Sequence, residues 1–217
     1  MNTHHRTRQL VGWNLIVGMV LSLVPMAPAW ALMPQTPMQS VRTTIEDVVR
    51  ILDNEELQQP TRLTERRQEI ERVVRQRVSY EDMAREALGV QWLSLAADER
   101  QEFVDPFVQL LRDSFAGKID AYADEQVQYL SEQQHDHLAE VRTKLSGRKI
   151  DTLLDFRMTD RKGMWLVYDV VIDGASIVLN YRAQFASIIR DASYAGLVQK
   201  MREKTFVVKA FEAAYMH

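Results

Sequence analysis

One carboxylate in this chain lies where a charge is costly. Asp169 interrupts the apolar run Trp165–Ile172, WLVYDVVI. A carboxylate buried in such a run must be paired with a cation or hold its proton. The second state could serve a general base or acid, so Asp169 is the first catalytic candidate. Arg182, in the helical period that follows, is the natural cation, and a structural ion pair is the expected role of the two. His135 and His137, two apart on an expected strand, could face one metal together. No third ligand of matching spacing accompanies them, and the chain has no cysteine. They read as a polar loop entering a strand, and no metal or cofactor is expected. Gly89, Gly117, Gly147, Gly163, Gly174 and Gly196 are scattered, without the spacing that cradles a phosphate. No histidine falls in the core pattern, so a Ser-His-Asp triad has no evident base.

The elements that hold Asp169 come next. In the stretch Trp165–Phe185, alternation puts Met164, Leu166, Tyr168, Val170 and Ile172 on one strand face and Trp165, Val167 and Val171 on the other. A strand apolar on both faces is buried on both. Asp173-Gly174 ends it, and Ser176 or Asn180 is expected to cap the helix beyond. Val178, Tyr181, Phe185, Ile188 and Ile189 form one stripe of that helix. Three further strands precede the central one at hairpin spacing: around Val127 and Tyr129, along Ala139–Leu145, and along Ile150–Met158. Each has a single apolar face.

Helices fill the earlier half. Val41, Ile45, Val48, Val49 and Leu52 mark the first. A second, about Thr61–Val78, carries six arginines against Glu65, Glu69 and Glu71, with a thin seam of Leu63, Ile70, Val73 and Val74. Its face reads as solvated and laced with pairs such as Glu71 with Arg75. It could also serve as a docking surface for an acidic partner or anionic headgroups. Ser79 with Asp82 resembles a capping box opening a short helix Tyr80–Leu88, which Gly89 closes. A long helix, about Ala97–Tyr122, lines up Phe103, Phe107, Leu110, Leu111 and Phe115, with Pro106 expected to kink it or mark a late start. A last helix, about Tyr194–Lys204, has the seam Leu197, Val198 and Met201. Helices first, a four-stranded antiparallel sheet next and two closing helices make an α+β class.

The N-terminus carries Arg6 and Arg8, the apolar run Leu10–Val24, and small residues Ala29 and Ala31. The run is shorter than the roughly 20 residues a membrane span needs. It reads as a secretory signal peptide, residues 1–31, leaving one domain from 32 to 217. An exported chain without cysteine fits a bacterial periplasm. A formal net charge of −3, more negative once Arg6 and Arg8 are lost, argues against nucleic acid.

Trp165, Val167, Asp169, Val170, Asp173-Gly174, Ser176, Asn180-Tyr181-Arg182, Gln184 and Phe185 together resemble the signature of the MlaC family, the toluene-tolerance auxiliary component. Met83-Ala84, Leu88-Gly89 and Trp92 match its pattern more weakly, and the sequence departs from it at Ala175 and Phe115. The resemblance implies an NTF2-like curved sheet with helices over its concave face. It also implies a periplasmic phospholipid carrier without enzymatic activity. Implied partners are an outer-membrane lipoprotein–porin complex and an inner-membrane ABC transporter with an MCE-domain subunit, and the implied role is keeping outer-membrane lipid asymmetry. Trp165, Asp169, Asp173, Gly174, Ser176, Asn180 and Arg182 are then a structural motif. The expected lipid-lining residues are Phe103, Phe107, Leu111 and Phe115 from the long helix, Leu154, Phe156, Val167 and Val171 from the sheet, and Tyr181 and Phe185 after the turn. Two other readings are an NTF2-like isomerase or dehydratase using Asp169, and a periplasmic chaperone gripping apolar peptides.

Overall fold

A computed structural model describes residues 35–115, 126–147 and 151–203. The expected signal peptide, Ile150, residues 116–122 of the long helix and the chain beyond 203 lie outside these. Helices α1 (Pro37–Leu52), α2 (Leu63–Arg75), α3 (Tyr80–Leu88) and α4 (Ala97–Phe115) come first. Strands β1 (Gln126–His135), β2 (Leu138–Ser146), β3 (Thr152–Arg161), β4 (Met164–Ile172) and the two-residue β5 (Ala175–Ser176) follow, and α5 (Ile177–Arg202) closes the chain. The sheet is antiparallel throughout, in the order β1-β2-β3-β4-β5. This is the α+β arrangement expected, with β5 as an added short strand. Bulges between Tyr129 and Ser131 in β1, and opposite Arg157–Met158 in β4, bend and twist it.

Local chemistry explains the helix boundaries. Thr36 and Gln39 form a reciprocal capping box ahead of α1, with Pro37 in its first turn. Pro106 lies inside α4 without ending it. The second helix stops at Arg75, short of the Val78 expected, because the next residues join the sheet. Val167 N–H donates to the Arg77 carbonyl at 2.8 Å, and Ser79 N–H donates to the Val167 carbonyl at 2.9 Å. That pairing also overturns the capping box at Ser79. Its N–H is taken by β4, and its hydroxyl donates to the Asp82 carboxylate at 2.6 Å. The two closing helices are one α5 in hydrogen bonding, broken at Ser193, whose φ of +68° is not helical.

Cross-strand register sorts the sheet into two faces. Ala139 with Met158, Val141 with Phe156 and Thr143 with Leu154 lie on one. Glu140 with Arg157 and Arg142 with Asp155 lie on the other, which is a charged ladder. On β4 the apolar face changes parity. Val167 opposes Met158, yet Val170 opposes Phe156, because the bulge absorbs Tyr168. Val167 and Val171 therefore do not share a face, contrary to simple alternation: Val171 opposes Asp155 on the charged side. The apolar face is covered in two parts. Val41 of α1 packs with Ala139, Val141, Met158, Trp165 and Val167. Helices α3, α4 and α5 cover the Ile172 end with a larger cluster.

Candidate functional site

The junction from β4 to α5 is built around Asp169. Asp173 (φ +48°) and Gly174 (φ +85°) both have positive φ, as a tight two-residue hairpin turn requires. Asp173 also accepts Leu153 N–H at 2.8 Å, tying the turn to β3. The turn folds β5 back against Val171 and Ile172 and sets Ser176 at the N-cap of α5, its hydroxyl accepting Leu179 N–H at 3.0 Å. The same hydroxyl donates to Asp169 Oδ2 at 2.6 Å, and Val178 N–H donates to Asp169 Oδ1 at 3.1 Å. A carboxylate at a helix N-terminus is favoured by the exposed amides there. The expected ion pair with Arg182 is not formed. The cation is Arg157, whose Nη1 donates to Asp169 Oδ2 at 3.1 Å. Arg157 lies directly opposite Asp169 in the β3–β4 register. Asp169 is 2% exposed and its oxygens are already engaged by three donors.

Arg182 faces α3 instead. It donates through Nε to the Glu86 carbonyl at 2.6 Å and through Nη2 to the Glu86 carboxylate at 2.9 Å. It thus satisfies an orphan carbonyl in the last turn of α3. Asn180 does not cap the helix; its side chain accepts from Gln184 at 2.6 Å, one turn on. The junction motif is structural in geometry.

Above the sheet, Phe103 and Phe107 of α4 stack at 5.5 Å between centroids. Phe185 meets Phe103 and Phe107 edge-on at 5.7 and 5.9 Å, and Tyr181 meets Phe107 edge-on at 5.6 Å. These four rings are fully buried. Leu110, Leu111, Met83, Ala87, Ile172, Leu197 and Met201 complete the packing. Among these rings the Tyr181 hydroxyl lies 3.1 Å from Ser114 Oγ. Ser114 gives its own proton to the Leu110 carbonyl at 2.7 Å, so Tyr181 is the donor between them. Burial pushes the Tyr181 phenol up to about 12, with the Ser114 contact working the other way.

The expected lining residues divide among three places. Phe103, Phe107, Leu111, Tyr181 and Phe185 lie in the helical cluster, with Leu154 half-buried against it. Val167 and Phe156 pack on the α1 side. Val171 belongs to neither cluster, and the Phe115 side chain lies outside the described residues. Sequence reasoning passed over Tyr168 and Val170, both half-buried against the helical cluster. Alternation had already grouped them with Ile172, but the lining was assigned to the face of Val167 and Val171, which the bulge splits. Arg157 was missed because pairing register is invisible in a single strand.

An open, bent antiparallel sheet with helices on its apolar face and an aromatic-rich cluster between them defines a sheet-and-helix α+β protein. The chain belongs to the MlaC family: the family model described as MlaC protein matches residues 42–203. The intermembrane phospholipid transport system binding protein MlaC of Haemophilus influenzae is 24% identical over 132 residues, 58% of this chain and 62% of the relative. The alignment thus spans less than two thirds of that relative's length. Among solved structures, the phospholipid-binding protein from Ralstonia solanacearum, determined in complex with a phospholipid, superposes with a TM-score of 0.71. It is 24% identical, and the match covers 78% of this chain and 97% of that one. This likeness establishes the fold. Among the described residues, no helix is long and apolar enough to cross a membrane.

Proposed function

We propose that this protein is a periplasmic phospholipid carrier, exported by residues 1–31 and folded as one domain over residues 32–217. The observation that carries the reading is the aromatic-rich apolar cluster between α3–α5 and the sheet face. There Leu154, Tyr168 and Val170 remain only half-buried beneath fully buried aromatic rings. Both relatives named above support it, one the binding protein of an intermembrane phospholipid transport system and the other determined in complex with a phospholipid. Withdrawing two acyl chains of about fifteen methylenes each from water is worth roughly 24 kcal/mol at about 0.8 kcal/mol per methylene, an upper bound. A carrier between two membranes has to shield that much surface and can leave the headgroup in solvent.

In this reading the chains enter along the sheet face and part the α4–α5 rings. Lipid is exchanged between an outer-membrane lipoprotein–porin complex and an inner-membrane ABC transporter with an MCE-domain subunit, preserving outer-membrane asymmetry. The carrier itself performs no chemistry, in keeping with the enclosed geometry of Asp169.

Native mass spectrometry of protein purified from a bacterial periplasm, followed by organic extraction, tests this. Phospholipid-mass adducts are expected. Leu154→Glu, on the lined face, should lose them, whereas Leu153→Glu, exposed on the charged face opposite Lys144, should keep them. A clean unliganded mass from folded wild-type protein would overturn the carrier. Equal loading of the two variants would overturn the face assignment.

A further inference from the structure

A cleft of about 200 Å³ lies between α1 and α2. Asp47, Arg50 and Ile51 of α1, Arg72 and Val73 of α2, and Gln76 and Arg77 just beyond α2 line it. Three guanidiniums against one carboxylate make it cationic on a chain whose formal net charge is −3. Two of the three are exposed and, among the described residues, pair with helix-local acids: Arg50 with Asp47 at 2.7 Å and Arg72 with Glu69 at 2.7 Å. Such pairs contribute little and exchange readily for a stronger anion. Arg77 is the distinguishing group. Its carbonyl is fixed by Val167 N–H at 2.8 Å, and its side chain is half-buried. Among the described residues that side chain has no ion pair and no hydrogen-bond partner. A half-buried guanidinium at a cleft wall, without a protein counter-charge, is available to pair with an anion from solution.

We propose that this α1–α2 cleft binds a phosphate group, with Arg77 as the anchor and Arg50 and Arg72 closing on it. The reason to favour phosphate over a single carboxylate is the number of forks. A carboxylate presents two oxygens in one plane, whereas a tetrahedral phosphate presents its oxygens to forks converging from different directions. The Gln76 amide supplies a neutral donor beside them. The source of the phosphate is either the free anion or a phospholipid headgroup. The proposal stands independently of whether acyl chains enter the aromatic cluster.

The test is a titration of the purified protein in low-salt, phosphate-free buffer, read by amide NMR shifts and calorimetry. The probes are inorganic phosphate, a dihexanoyl phosphatidylglycerol below its micelle concentration, and a dihexanoyl glycerol lacking phosphate. Shifts at residues 47–51 and 72–77 with inorganic phosphate assign a free-anion site. Shifts there with the short-chain phospholipid alone assign a headgroup site. Arg77→Gln should weaken either binding at least tenfold, the size expected for losing a charge-assisted hydrogen bond. Arg75→Gln should leave it unchanged, since Arg75 pairs with Glu71 and does not line the cleft. Silence with both phosphate probes, or equal shifts with the phosphate-free glyceride, overturns the proposal. Arg72→Gln provides the same comparison should Arg77→Gln fail to fold.

Discussion

At the scale of single residues, Asp169 shows what the polar signature of this chain achieves. Its carboxylate joins three segments: Arg157 from β3, Ser176 from the turn and the amide of Val178 from α5. Asp169→Asn keeps the size and one acceptor oxygen but removes the charge that pairs with Arg157. Charge-assisted hydrogen bonds are worth about 1.5–3 kcal/mol each, and Arg157 is partly open to solvent, so a net loss of about 1–3 kcal/mol is expected. Urea unfolding of the variant, with lipid content measured on the folded fraction, checks this. Lower stability with unchanged lipid content is the expected result. A fully stable protein with altered activity toward a small carbonyl substrate would instead favour a catalytic Asp169. That Asp169 would be buried and paired was legible in the sequence, since an isolated carboxylate in WLVYDVVI has few other fates. The identity of its partner was not. Proximity in sequence favoured Arg182, but pairing across a sheet depends on register, and Arg157 is the residue directly opposite.

At the scale of elements, the sequence marks ends more clearly than faces. Pro37, Gly89 and Ser176 stand at element boundaries because each supplies a backbone geometry or a donor–acceptor match that its neighbours lack. Gly89 is the sharpest case. It ends α3 with φ +58° and ψ −130°, and a Cβ there would meet Arg182 Nε at 3.3 Å. Gly89→Ala therefore combines a disfavoured backbone with pressure on the arginine that caps α3 through Glu86. A cost of about 1–3 kcal/mol is expected for a non-glycine residue held in such a region. It should appear as a lower thermal midpoint with unchanged far-ultraviolet circular dichroism. A midpoint equal to wild type would mean that α3 ends without help from Arg182. Faces were harder to read, because one inserted residue exchanges inside for outside. The β4 bulge did this between Val167 and Val170, and so divided the expected sheet lining between two clusters and the charged side.

At the scale of the whole molecule, the helical layer is tied to the sheet by a few buried polar links, and Asp82 is the most heavily loaded. It is 2% exposed at the start of α3 and is held by Arg161 of β3 at 2.5 and 3.2 Å, by Arg85 at 2.8 Å and by the Ser79 hydroxyl. Burial pushes its carboxyl up, but hydrogen bonds from Arg161 and Ser79 and the charges of Arg85 and Arg161 outweigh this and leave it below the ordinary range. The sign for stability follows from linkage. A carboxyl depressed in the folded state contributes stability that is fully present above its unfolded value, near 4, and is lost as pH falls through the folded value. Asp155 works in the opposite direction. Burial raises it more than Arg142 lowers it, so its contribution improves on acidification. The two are separated by comparing Asp82→Asn with wild type across pH. At pH 7 the variant should be less stable by about 1–2 kcal/mol, discounted because Arg161 and Arg85 are about half exposed. Below about pH 4 the difference should shrink, because the unfolded wild-type chain takes up a proton at Asp82 that the folded chain resists. Guanidinium unfolding at intervals from pH 3 to pH 7 measures this, and a difference independent of pH would show that the link acts through packing and not through charge. The consequence for carriage is specific. Arg161 belongs to the same strand as Leu154, so in the proposed carrier a weaker α3–β3 link would weaken the helical packing against the acyl-binding face. Lipid retained by Asp82→Asn should therefore exchange faster than lipid in wild type at neutral pH, read by transfer to acceptor vesicles.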